Sequence, residues 1–193
     1  MNEALHKNLS RYVSYTDEEL AILDSLVTSQ FIPKKTVMLR AGEKCNFEAF
    51  VVQGCVRKYC IDPDGNELVL QFGIEDNWIG DISFNSYETN PSRVFIETLE
   101  DSHFLMFTPE SKEELLERVP KFERSFRILV QRNVTATQNR LFDTISKDAT
   151  YKYLEFLRLY PTIPQRVAQH YIASYLGISA EFLSKVRARL AKG

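Results

Sequence analysis

The sequence has little of several things, and each shortage excludes a class of function. No apolar run approaches the roughly 18 residues needed to cross a bilayer as a helix. The opening stretch MNEALHKNLSRYVSYTDEEL turns polar and acidic and has neither the apolar segment nor the small-residue cleavage site of an export signal. A cytoplasmic protein without a membrane partner is therefore expected. Cysteine is scarce: there are 3, namely Cys45, Cys55 and Cys60. An odd number without an export signal argues against a disulfide framework, and their spacing matches no zinc or iron–sulfur pattern. Histidine is scarcer in effect, because His6, His103 and His170 fall in different parts of the chain. A jelly-roll metal site needs clustered histidines with a carboxylate, so no metal is expected. Glycine-rich phosphate loops are absent, and no Ser/His/Asp or Cys/His constellation is legible. An enzyme is not expected, and no cofactor is indicated with certainty.

What is present is ordinary in bulk and uneven in distribution. The chain has 193 residues, 44% hydrophobic and 26% charged, enough to bury one largish core or two small ones. Its net charge of -2 conceals an asymmetry. From Tyr151 onward, seven basic residues (Lys152, Arg158, Arg166, Lys185, Arg187, Arg189, Lys192) face two acidic ones (Glu155, Glu181), a local charge of +5 against -7 for the rest. A basic last fifth on an acidic body points to a local polyanion contact.

The texture of the chain changes three times. Thr16 to Leu26 reads as a helix, with Thr16 as N-cap and Glu19 completing a capping box. From Phe31 to about Phe107, short runs rich in Val, Ile, Phe and Tyr alternate with turn signals. Among these, Asp64-Gly65 between VRKYCI and ELVLQF is a strong hairpin signal. This spacing predicts an antiparallel sandwich or small barrel. Beyond Pro109 the pattern is helical. PESKEELLER predicts a short helix, and roughly Lys121 to Ile145 predicts a long one carrying Phe122, Phe126, Leu129, Val130, Val134, Leu141 and Ile145 on one stripe. Twenty-five residues would span about 37 Å, more than one small domain needs, so the seam is expected to be a subunit contact. A further helix over about Ala149 to Tyr160 ends at Pro161 and Pro164.

The segment QHYIASYLGISAEFLSKVRARL carries the most information. Ile172 and Leu176 lie one turn apart on an inner face, and Ala173 is small where a second helix must approach. Gly177 falls where a tight turn needs positive φ, Ile178 plugs the corner, and Ser179 is a good N-cap. Leu183, Val186 and Leu190 supply a buried face. That is the layout of a helix-turn-helix whose second helix enters the major groove. Gln169, Ser179, Ala180, Glu181, Ser184, Lys185, Arg187 and Arg189 are the residues expected to face DNA, since small, polar and basic side chains suit base edges and phosphates.

At this point the sequence resembles the Crp/Fnr family of bacterial transcription factors, in the right order and over nearly the whole chain. QHYIASYLGIS followed by LSKVR looks like the family's DNA-binding module. Trp78-Ile79-Gly80-Asp81-Ile82 looks like the phosphate-cassette motif of cyclic-nucleotide-binding domains. The resemblance implies an α+β protein with an N-terminal antiparallel β jelly roll (residues 1–119), a long dimerisation helix (120–145) and a C-terminal winged-type helix-turn-helix domain (146–193). It implies a homodimer reading two symmetric half-sites of double-stranded DNA, with RNA polymerase as a further partner if the protein activates. A wing would have to lie between Pro161 and Gln169 or be absent.

The resemblance also implies an effector pocket, with Gly80, Asp81, Ile82, Ser92, Arg93, Thr135 and Thr137 as its candidates. Nucleotide-binding members neutralise the cyclic phosphate with an Arg-Ser pair. Here Ser92 stands where arginine is expected and Arg93 where serine is. A shift of one residue along a strand turns a side chain to the opposite face, and an uncompensated phosphate in an enclosed site is costly. A small-molecule effector other than cyclic AMP is therefore expected. On the recognition helix, Ala180 replaces a guanine-reading arginine, Glu181 is retained, and Lys185 replaces a second arginine, so the operator should differ from the familiar one. The competing reading is a ligand-binding module whose C-terminal helices make protein contacts only. It would lack the steep salt dependence of DNA binding.

Overall fold

A computed structural model describes residues 2–81 and 91–191. The chain divides into two compact units, residues 1–58 with 72–132 and residues 59–71 with 133–193. The first opens with helices α1 (Glu3–Ser10) and α2 (Asp17–Leu26), followed by strands β1 (Thr28–Ile32), β2 (Val37–Leu39), β3 (Glu48–Gln53) and β4 (Val56–Ile61). Strands β5 (Glu67–Gly73), β6 (Trp78–Gly80), β7 (Phe95–Thr98) and β8 (Ser102–Phe107) come next, then α3 (Pro109–Arg118) and α4 (Phe122–Ser146).

The strands form two four-stranded sheets, ordered β1-β8-β3-β6 and β2-β7-β4-β5. This is the jelly-roll-like sandwich of an α+β protein. In the first sheet β8 lies between β1 and β3, pairing antiparallel with both: Ile32 sits opposite Ser102, and Val51 opposite Phe104. Successive side chains on a strand point to opposite faces, and β3 and β8 use both. Ala49, Val51 and Phe104 enter a core with Leu39, Val56, Ile79 and Ile96, whereas Phe50, Leu105 and Phe107 enter a second core with Leu5, Leu9, Leu23, Leu115 and Phe122. Each of the valine, leucine, isoleucine and phenylalanine side chains taken out of water contributes about 1.5–3 kcal/mol before entropy is counted. Lys112 of α3 is buried too, and its charge is met by Glu48 Oε2 at 2.8 Å and by the Phe126 ring at 3.1 Å.

The local signals form as the sequence predicts. The Thr16 hydroxyl accepts from the Glu19 amide, and Glu19 accepts from the Thr16 amide at 2.7 Å. Thr108 and Ser111 make the same reciprocal pair at the start of α3, with Pro109 at its first position. Asp64 and Gly65 lie in the turn joining β4 to β5. There the Asp62 carboxylate accepts from the Asp64 and Asn66 amides, and Gly65 adopts φ +85°.

The second unit comprises the tip of that hairpin, the later part of α4, and helices α5 (Ala149–Leu159), α6 (Ile163–Arg166), α7 (Gln169–Leu176) and α8 (Ala180–Leu190). Its buried side chains include Tyr153, Phe156, Ile163, Ile172, Ala173, Leu176, Leu183 and Val186. The stretch between Pro161 and Gln169, the place left for a wing if there were one, holds the short helix α6, and no strand follows Phe107 among the described residues.

Candidate DNA-reading surface and effector site

Helix α7 ends because its chain reverses at Gly177, whose φ of +67° and ψ of 39° are left-handed. The Ile178 amide then donates to Ala173 O and the Gly177 amide to Ser174 O, each at 3.1 Å. These two bonds form a Schellman end, which satisfies carbonyls the helix would otherwise leave open. Two residues later the Ser179 hydroxyl accepts from the Phe182 amide at 3.1 Å and starts α8. Leu183 and Val186 are buried at 0% and 1% exposure, which fixes the rotation of α8 about its axis. Ser179, Ala180, Glu181, Ser184, Lys185, Arg187 and Arg189 are all exposed as a consequence, and Gln169, the first residue of α7, is half-buried. The Glu181 carboxyl is held below its ordinary range by its own amide and then by the Ser179 hydroxyl. At neutral pH it is an ionised acceptor.

Sequence reasoning missed the joint that ties this module together. The Arg140 guanidinium from α4 stacks 3.9 Å from the Tyr175 ring centroid on α7. It donates to Tyr175 O at 2.7 Å, to Val69 O at 3.0 Å and to Leu70 O. The Ser174 hydroxyl donates to Glu67 O at 2.6 Å and accepts from the Val69 amide at 2.9 Å. The hairpin tip, α4 and α7 are thus joined largely through main-chain atoms. Lys152 adds a bond to Leu176 O at 2.9 Å.

In the first unit, Gly80 ends β6 opposite Glu48. A Cβ added there would meet Phe47 O at 3.4 Å. Asp81 follows, half-exposed. Ile82 lies outside the described residues. Ser92 is buried, and its hydroxyl is engaged with the Val94 amide and carbonyl at 3.1 and 3.3 Å. Arg93 is exposed. Thr135 and Thr137 are exposed on α4 in the second unit, with the Thr137 hydroxyl donating to Asn133 O.

A residue not anticipated joins the Gly80 group. Lys58 Nζ donates to Gly80 O at 3.2 Å, and burial pushes its pKa down against the opposing charge of Asp81. Its neighbour Arg57 is buried on Glu97 at 2.5 Å. The signal was legible: adjacent charges on a strand cannot both face the same side. A separate groove of about 510 Å³ is lined by residues including Gln30, Ile32, Met38, Asn46 and Met106, with no charged side chain and none of the anticipated effector residues. Among the described residues no cluster of His, Cys, Asp and Glu is placed to hold a metal ion.

Residues 29–119 match the cyclic nucleotide-binding domain family. The fumarate and nitrate reduction regulatory protein of Vibrio cholerae is 22% identical over 188 residues, covering 91% of this chain and 74% of the relative. Among solved structures, the c-di-GMP responsive global regulator CLP of Xanthomonas campestris superposes with a TM-score of 0.74 at 16% identity, over 92% of each chain. FixK2 from Bradyrhizobium japonicum gives 0.73 at 19%, over 86% of this chain and 85% of that one. The chain thus has a match to the cyclic nucleotide-binding domain at its centre, and over most of its length it shares the fold of these regulators and of a putative transcriptional regulator of the Crp/Fnr family from Eubacterium rectale, which superposes with a TM-score of 0.70 at 16% identity over 93% of this chain and 85% of that one.

Proposed function

We propose that the protein binds a pseudo-palindromic operator as a homodimer, placing α8 of each subunit in the major groove. The observation that carries this reading is the orientation of α8. Leu183 and Val186 face inward, so the helix presents Glu181, Ser184, Lys185, Arg187 and Arg189 to solvent behind a glycine turn and a serine cap. Cations on such a helix meet phosphates, and the short polar residues near its start reach base edges. An activator of this design also contacts RNA polymerase.

The effector we propose is a small molecule other than a cyclic nucleotide, bound by the jelly roll. The described residues fit a cyclic phosphate poorly: the buried Ser92 hydroxyl is already engaged, and the arginine beside it is exposed. Calorimetry with cyclic AMP is expected to give no micromolar constant, and such a constant would overturn this part of the reading.

The DNA reading is tested by mobility shift on a duplex selected from random sequence. Affinity should fall steeply with salt, log K changing by about -0.9 per phosphate contact against log salt. Lys185→Ala and Arg187→Ala should each weaken binding and flatten that slope by about one contact, with the far-ultraviolet spectrum unchanged. Parent-like binding by both variants would remove α8 from the interface.

A further inference from the structure

We infer that Phe182 is a sequence-reading residue, contacting the 5-methyl group of thymine in the operator. The inference rests on the DNA-binding reading of α8 and deepens it.

Phe182 stands in the first turn of α8 and is 45% exposed. Its amide donates to the capping Ser179 hydroxyl at 3.1 Å. Two other exposed phenylalanines have ring neighbours: Phe31 lies 5.0 Å from the His103 ring, and Phe142 lies 5.8 Å from Lys147 Nζ. The Phe182 ring has neither an aromatic nor a cationic partner among the described residues. Leu190, 38% exposed, is the other large apolar side chain in water on α8, but it lies at the far end, whereas Phe182 stands in the first turn, the end whose residues reach base edges in a helix-turn-helix.

Two features identify the partner of Phe182. Residues three and seven positions further along a helix share its flank, and here they are Lys185 and Arg189, both exposed. Protein interfaces are depleted of lysine and charge around their apolar centres, so this pairing of a phenyl ring with two cations suits a polyanion. Among base pairs seen from the major groove, the thymine methyl is the apolar group on display, the other exposed positions being hydrogen-bond donors and acceptors. A phenyl ring therefore has one favourable target there. The neighbouring residues complete a division of labour. Ala180 leaves room for the backbone to approach, Glu181 accepts from a base amino group, and Lys185 and Arg189 hold phosphates.

The test uses the full-length protein and an operator selected from random sequence. Each thymine is replaced in turn by uracil, which deletes the methyl and nothing else. One symmetric pair of thymines should lose about three- to fourfold in affinity per methyl for the parent, the worth of one buried methyl-sized group. Phe182→Ala should bind more weakly than the parent yet accept uracil at that pair without further loss. Phe182→Leu, which keeps an apolar contact, should retain part of the thymine preference. If the parent binds every uracil operator as tightly as the thymine one, or if Phe182→Ala keeps the parent's thymine dependence, the inference fails while DNA binding stands. If the parent binds no duplex, the reading of α8 fails and this inference fails with it.

Discussion

At the scale of single residues, the turn between α7 and α8 depends on two backbone facts. Gly177 holds φ at +67°, and an added Cβ there would meet no atom within 4 Å. The cost of a side chain at this position is therefore conformational and not steric, about 1–2 kcal/mol for an L-residue held left-handed. Gly177→Ala should leave the fold intact and loosen the α7–α8 pair by that amount. Hydrogen exchange in α8, several-fold faster than in the parent, is the measurement. Asparagine tolerates this conformation better than alanine, so Gly177→Asn should fall between the two. Exchange unchanged in Gly177→Ala would mean that the turn does not control the placing of α8.

At the scale of elements, the sequence was readable wherever a local rule decides the structure. The Thr16 capping box, the Asp64-Gly65 turn and the Gly177-Ile178-Ser179 corner each fall within a few residues, and all form. What escaped notice is decided at long range. Helix α1 has only Leu5 and Leu9 to mark it, and these matter because the outer face of a sheet lies beneath them. Strand β1 reads as polar TSQFI and is mostly exposed. It is a strand because β8, more than seventy residues later, offers it a ladder from Met106 back to Ser102. At the candidate site, the exposed face of α8 followed from periodicity, whereas the Lys58 contact with Gly80 followed from nothing local except the adjacency of two charges.

Arg140 is the extreme case, since its partners are main-chain oxygens of residues 69, 70 and 175. An arginine aimed at carbonyls leaves no pattern in the partner's sequence. It is also the residue whose removal the second unit should feel most. Its Nε is buried with no hydrogen-bond partner, so desolvation offsets part of what its other donors contribute. Charge-assisted bonds are worth about 1.5–3 kcal/mol each, and with several lost together a net cost remains. Arg140→Met keeps apolar bulk and removes the donors. Amides of the hairpin tip, the Val69 amide foremost, should then exchange about tenfold faster or more. If exchange at the tip were unchanged, the Ser174 bonds alone would be holding it.

At the scale of the whole molecule, the open question is what covers α4. Val130, Val134, Leu141 and Ile145 are 38%, 44%, 59% and 78% exposed, and Phe142 is 62% exposed beside them. An apolar seam of this kind is a candidate association surface. A second copy of the same helix is the partner that the proposed palindromic operator would require, because recognition helices reading two half-sites must be held about 34 Å apart. Leu141→Glu places a charge on that seam and, in a dimer, brings two like charges together. The parent should sediment as a dimer at micromolar concentration and the variant as a monomer with an unchanged far-ultraviolet spectrum. The variant should also lose most of its preference for the full palindrome over a single half-site, because linking two weak contacts raises affinity only while both can engage. A parent that sediments as a monomer, or a Leu141→Glu protein that remains a dimer, would assign the seam to some other contact and leave α8 without the symmetric pairing proposed for it.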